Sequence, residues 1–154
     1  MKLDLDGLLD LAERQAREVL LKQKHDEILP TFVMAQRDGG LVIAGVQFRN
    51  DFEKRLVREK IREIMRSNDT VAYSFLTEGW AVAYPLDADM RVRPSENPRR
   101  IEVVSALATN VVESKYKQWR MIRDHKGDVS ALEFDSEATS AVSPFGELLT
   151  MGNA

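Results

Sequence analysis

Ile101-Glu-Val-Val-Ser-Ala-Leu-Ala108 and Tyr116-Lys-Gln-Trp-Arg-Met-Ile-Arg123 decide how this chain folds, because only residues 109–115 separate them. Both runs are rich in β-branched, aromatic and other large apolar residues, as strands are. Parallel neighbours need a crossover of about a dozen residues or more, so two strands joined this closely pair antiparallel. Outward from them, Asp124-His-Lys-Gly-Asp128 reads as a turn into a further strand over residues 129–134. On the other side lies a strand over 71–77, which Gly79 is expected to interrupt or bend before 80–84. The second half of the chain therefore reads as a three- or four-strand antiparallel meander.

The first half mixes periods. Leu5, Leu8, Leu9, Ala12, Ala16, Val19 and Leu20 form one helical stripe, so a helix is expected over 7–24, capped by Asp4 or Asp6. Thr31-Phe-Val-Met-Ala-Gln36 and Leu41-Val-Ile-Ala-Gly-Val-Gln-Phe48 flank Asp38-Gly39, which favours a tight hairpin turn. Gly45 marks either a bulge or a close approach by another element. A second helix follows from an Asn50 or Asp51 cap to about Arg66, with Phe52, Leu56, Ile61, Ile64 and Met65 as its expected core stripe. The fold class is α+β: two helices, an N-terminal β-hairpin and a C-terminal antiparallel meander forming one mainly antiparallel sheet. Residues 1–135 form a single domain, and 136–154 a tail, docked through Phe145, Leu148, Leu149 and Met151 or partly disordered.

Composition narrows the function classes. With 154 residues, 44% hydrophobic and 31% charged, the chain has the balance of a soluble globular domain. It has no cysteine, which excludes disulfides, thiolate metal sites and a cysteine nucleophile. Acids interrupt the first residues where a secretory signal needs an apolar run, and no apolar stretch approaches the roughly 20 residues of a membrane span. A cytoplasmic location is expected, with no membrane partner. The net charge of −3 disfavours a general nucleic-acid binder. From Asp124 onward six acids face Lys126 alone, so the C-terminal part carries −5 and the rest +2.

Catalytic signatures are missing. His25 and His125 stand apart, outside any ligand spacing, and Asp124, His125 and Asp128 read as a solvated turn, so neither a metal nor a cofactor is expected. There is no nucleophile elbow and no phosphate-binding glycine loop. Two features have recognition chemistry. Glu78 lies on a strand with Leu76 and Trp80 on the same face, where an aromatic wall can raise a carboxyl pKa; it can also simply pair with Arg91, Arg93 or Arg120. The stretch Arg91-Val-Arg-Pro-Ser-Glu-Asn-Pro-Arg-Arg100 holds Arg91 and Arg93 before Pro94, and Arg99 and Arg100 after Pro98, two prolines that restrict its backbone. Asp87, Asp89 and Glu96 offset part of that charge. Trp80, Tyr84, Tyr116 and Trp119 offer stacking faces for a nucleic acid, although strand aromatics are more often core.

Thr77-Glu-Gly-Trp80, followed by Arg93-Pro-Ser-Glu-Asn-Pro-Arg-Arg-Ile-Glu-Val103, resembles a class of small uncharacterised bacterial and phage-associated proteins. Those carry an S-E-x-W strand and a P-S-x-x-P-x-R-x-E-V stretch. Here Thr77 replaces the serine and Gly79 is the spacer, while Pro94, Ser95, Pro98, Arg100, Glu102 and Val103 keep the later spacing. The resemblance implies a phage or prophage setting and no particular activity.

These readings converge on a non-enzymatic interaction or accessory module that binds a protein partner or itself. Its expected contact residues are Glu78, Trp80, Arg91, Arg93, Arg99, Arg100 and Glu102. Two alternatives compete: a small-anion binder or hydrolase-like enzyme using Glu78 and the loop arginines, and a weak nucleic-acid-binding module.

Overall fold

A computed structural model of the protein describes residues 4–81, 100–139 and 148–149. Its elements are α1 (Leu5–Arg17), a π-helical turn (Glu18–Lys22), β1 (Thr31–Gln36), β2 (Leu41–Gly45), α2 (Asp51–Ser67), β3 (Thr70–Ala81), β4 (Ile101–Asn110), β5 (Ser114–Arg123) and β6 (Val129–Thr139). The strands form one six-stranded sheet in the order β2-β1-β3-β4-β5-β6, antiparallel at every step. The fold is α+β, with the hairpin β1–β2 joined to the meander β3–β6 through β1 and β3.

Each face of the sheet has its own core. On one, Leu5, Leu8, Leu9, Ala12, Ala16 and Leu20 pack over Ala72, Leu76, Val104, Ala106, Ala108 and Trp119. Alanines on both sides of this contact let the helix backbone approach the sheet closely. Asp4 caps α1 by accepting from the Gly7 N–H at 2.7 Å, and Asp6 meets the Lys115 ammonium at 3.1 Å, tying the start of the helix to β5. At the far end the helix widens into the π turn. It is closed by the His25 N–H donating to the Val19 carbonyl at 3.0 Å, with Lys24 left-handed at φ 56°.

On the other face Ile61 and Met65 of α2 pack against Phe32, Met34, Tyr73 and Phe75, joined by Leu148 and Leu149. Asn50 caps α2, accepting from the Glu53 N–H at 2.8 Å. The expected stripe of this helix is corrected: Phe52 and Leu56 are exposed, and Val57 joins Ile61, Ile64 and Met65 instead. At 3.6 residues per turn, Phe52 and Leu56 lie about 180° and about 140° around the helix from Ile61, so they cannot share its face.

Strand extents also differ from expectation, and β2 ends at Gly45, short of Phe48. β3 runs through Gly79 without a bulge, with Gly79 opposite Val103 in an unbroken register. β4 and β5 are longer than expected and leave only residues 111–113 between them, where Asn110 accepts from the Val112 and Glu113 N–H groups at 2.8 Å each. β6 continues to Thr139, so residues 136–139, read as the start of the tail, are strand. A bulge at Gln118/Trp119 keeps it in step with β5. Residues 82–99, which hold most of the arginine loop and Tyr84, lie outside the described residues, as do Phe145 and Met151.

Candidate functional site

Alternation along β3 and β4 sends Leu76, Glu78 and Trp80, together with Val104 and Glu102, to the α1 face. Trp80 is directly opposite Glu102, so the sheet brings Glu78, Trp80 and Glu102 to one end of that face. Arg100, just before β4, lies over the Trp80 ring at 4.5 Å from its centroid. Four of the seven expected contact residues thus form one neighbourhood. Arg91, Arg93 and Arg99 lie outside the described residues.

The organising cation here is one the sequence did not single out. The Arg123 guanidinium donates to both Glu102 oxygens, from Nε at 2.7 Å and Nη2 at 2.9 Å. It also donates to the Gly127 carbonyl at 2.7 Å and the Asp26 carbonyl at 3.3 Å. One side chain therefore joins β4, the β5–β6 turn and the connection from α1 to β1. Its hydrogen bonds hold the Glu102 carboxyl below the usual glutamate range. Arg120, considered as a partner for Glu78, faces Val103 on the opposite side of the sheet.

Glu78 is also engaged, accepting from the Ile28 N–H at 3.3 Å just before β1. Burial pushes its carboxyl up; the Ile28 hydrogen bond opposes this, while Glu27 and Glu102 add to it and Arg123 pulls the other way. A raised carboxyl contributes stability that is full below its unfolded pKa of about 4.3 and is lost as pH rises through the folded value. Glu102, with its lowered pKa, does the opposite: its contribution is present above about 4.3 and is lost as pH falls through the folded value. Glu78→Gln keeps an acceptor for Ile28 and removes the charge. It should be at least as stable as the parent at neutral pH, with the difference shrinking as pH falls and the parent's Glu78 takes up its proton. Urea denaturation at neutral and mildly acidic pH measures this, and a clear loss of stability at neutral pH would contradict it.

The stacking surface foreseen for a nucleic acid is largely spent inside the fold. Trp119 is 2% exposed beneath α1, and Tyr116 bonds to Ser105 at 2.9 Å and to Gln118. Only Trp80, among the described candidates, is substantially exposed. The Asp124 carboxylate accepts from the Lys126 and Asp128 N–H groups at 2.8 and 3.1 Å, which accounts for it as a turn residue. Among the described residues no cluster of three or more His, Cys, Asp or Glu could hold a metal ion, and no helix is long and apolar enough to cross a membrane.

A second surface lies at the other edge of the same face. α1 lies over the sheet from β3 to β5, Val33 and Ala35 of β1 are buried in the same core, and β2 is left open, so a groove of about 610 Å³ runs between the helix and β2, the edge strand among the described residues. Its sheet side is Val33, Leu41 and Ile43; its helix side includes Leu11, Arg14, Glu18 and Lys22. Leu41 and Ile43 are 43% and 66% exposed, and Leu29, at 46%, continues the stripe. Gly45 makes that continuation possible: a Cβ there would meet the Leu29 side chain at 2.6 Å, so the glycine gives its place on this face to Leu29. Leu41-Val-Ile-Ala-Gly45 contains no charged residue, a pattern that by itself suits a buried strand equally well. What the sequence could not reveal was that β2 is an edge strand among the described residues, one that α1 does not cover.

Comparison of the chain with protein-family models, with curated proteins and with solved structures gives no match.

Proposed function

We propose that this protein is a non-enzymatic interaction module that engages an extended protein segment along β2. The observation that carries this reading is the exposed Leu29–Ile43–Leu41 stripe on an edge strand, beside a groove with an apolar floor. Apolar surface next to unpaired strand-edge groups is what strand addition uses: backbone bonds give affinity and alternate side chains give specificity. The engaged state of Glu78 and Glu102 supports a structural role for the carboxylates, and the burial of Trp119 weakens the nucleic-acid alternative. Arg100 stacked on Trp80 is a second, smaller contact area, at the start of the arginine-bearing loop.

A displayed library of extended peptides, selected against the wild-type protein, tests the proposal. Peptides with alternating apolar residues should emerge, lose roughly tenfold or more in affinity on Ile43→Lys, and bind Glu78→Gln normally. Peptides indifferent to Ile43→Lys, or an unproductive selection, would contradict it.

A further inference from the structure

The hydrogen-bond phase of the hairpin shows which backbone groups β2 leaves open. Gln36 donates to the Gly40 carbonyl at 2.8 Å and Val46 to the Pro30 carbonyl at 2.8 Å. With the register Met34↔Val42 and Phe32↔Ala44, the even-numbered residues of β2 therefore bond to β1. Leu41, Ile43 and Gly45 direct their N–H and C=O groups outward, at an edge with no further strand among the described residues. The same three positions carry the exposed stripe on the α1 face, with Leu29 standing in for the missing side chain of Gly45.

We infer that the segment engaging this edge is β2 of a second copy of this chain, paired antiparallel about a two-fold axis at Ile43. This rests on the proposed reading of β2 as the interaction surface and adds the identity of its partner. An isologous interface must be complementary to itself, and β2 is. Ile43 lies opposite Ile43 of the second copy, and Leu41 lies opposite Gly45, where the second copy's Leu29 meets it. Each of the three outward residues gains both a donor and an acceptor. The strand carries no charge, so self-pairing sets no like charges against each other, and the groove wall carries both signs in Arg14, Lys22 and Glu18.

The opposite edge of the sheet differs in the way this inference requires. β6 carries Glu133, Asp135 and Glu137 with no cation, so two copies meeting there would bring acids together. Natural sheets guard free edges with charge, and here only one edge is guarded. Joining two β2 strands would make one continuous sheet of twice six strands.

Two measurements on the full chain test this. Sedimentation velocity over a concentration series should show a dimer of the wild-type protein at tens of micromolar. Ile43→Lys should weaken it by roughly tenfold or more, with an unchanged circular dichroism spectrum. The chain contains no cysteine, so Ile43→Cys introduces a single thiol. In the hydrogen-bonded pair its Cα lies about 5.5 Å from its mate, within disulfide range. Mild oxidation should then give a covalent dimer in high yield, while Val112→Cys, exposed on the β4–β5 turn, should give little. A wild-type protein that remains monomeric, a dimer untouched by Ile43→Lys, or equal crosslinking by the two cysteines would overturn the inference. Selected peptides that still bind a monomeric protein through Ile43 would leave the interaction module standing and remove only self-pairing.

Discussion

Trp119→Ala is expected to cost about 3–5 kcal/mol, the usual range for emptying a large aromatic site in a core. Trp119 is among the largest fully buried side chains, opposite Val104 on β4 and Phe134 on β6, beneath the alanines and leucines of α1. Its removal opens a void where helix and sheet meet, which the surrounding leucines can fill only in part. Domains of this size are stable by only about 5–15 kcal/mol, so the variant should show a much lower urea midpoint or fail to fold at ambient temperature. A loss below about 1 kcal/mol would mean that α1 does not seal this face as described.

Arg123→Ala should follow, at about 2–3 kcal/mol, in the range of charge-assisted bonds whose partners stay partly buried. The Arg123 side chain is 29% exposed and that of Glu102 28%, so solvent screens the pair only in part. Truncation strands the Glu102 carboxylate and releases the Gly127 and Asp26 carbonyls, so three segments lose their common anchor. Arg123→Lys should recover only part of the loss, because an ammonium cannot reproduce the paired Nε and Nη2 bonds. Denaturation of the parent, Arg123→Ala, Glu102→Gln and the double variant isolates the pair; coupling near zero would show that it contributes nothing.

The legible parts of this protein were those set by local chemistry. Short connections force antiparallel pairing, Asp38-Gly39 marks the hairpin, and the pairs Asp4/Asp6 and Asn50/Asp51 announce two helix starts, of which Asp4 and Asn50 are the caps. Alternation alone placed Glu78 beside Trp80. The illegible parts depended on register and coverage. Arg123 becomes the partner of Glu102 only once Val103 is set against Arg120, which no single strand reveals. Phe52 and Leu56 are apolar and so suggest a core face, although their angular position excludes them from it. Most consequentially, Leu41-Val-Ile-Ala-Gly45 reads like any buried hairpin strand. Its exposure follows from α1 lying over β3 to β5, which the residues of β2 alone do not reveal.

Backbone amide hydrogen exchange, followed residue by residue at increasing protein concentration, tests the role of the β2 edge most directly. The amides of Val42 and Ala44 bond to β1 and should be slow at every concentration. Those of Leu41, Ile43 and Gly45 should exchange quickly in dilute protein and slow together as concentration rises, with the change abolished by Ile43→Lys. Fast exchange of all three at every concentration would contradict engagement of this edge by a second copy.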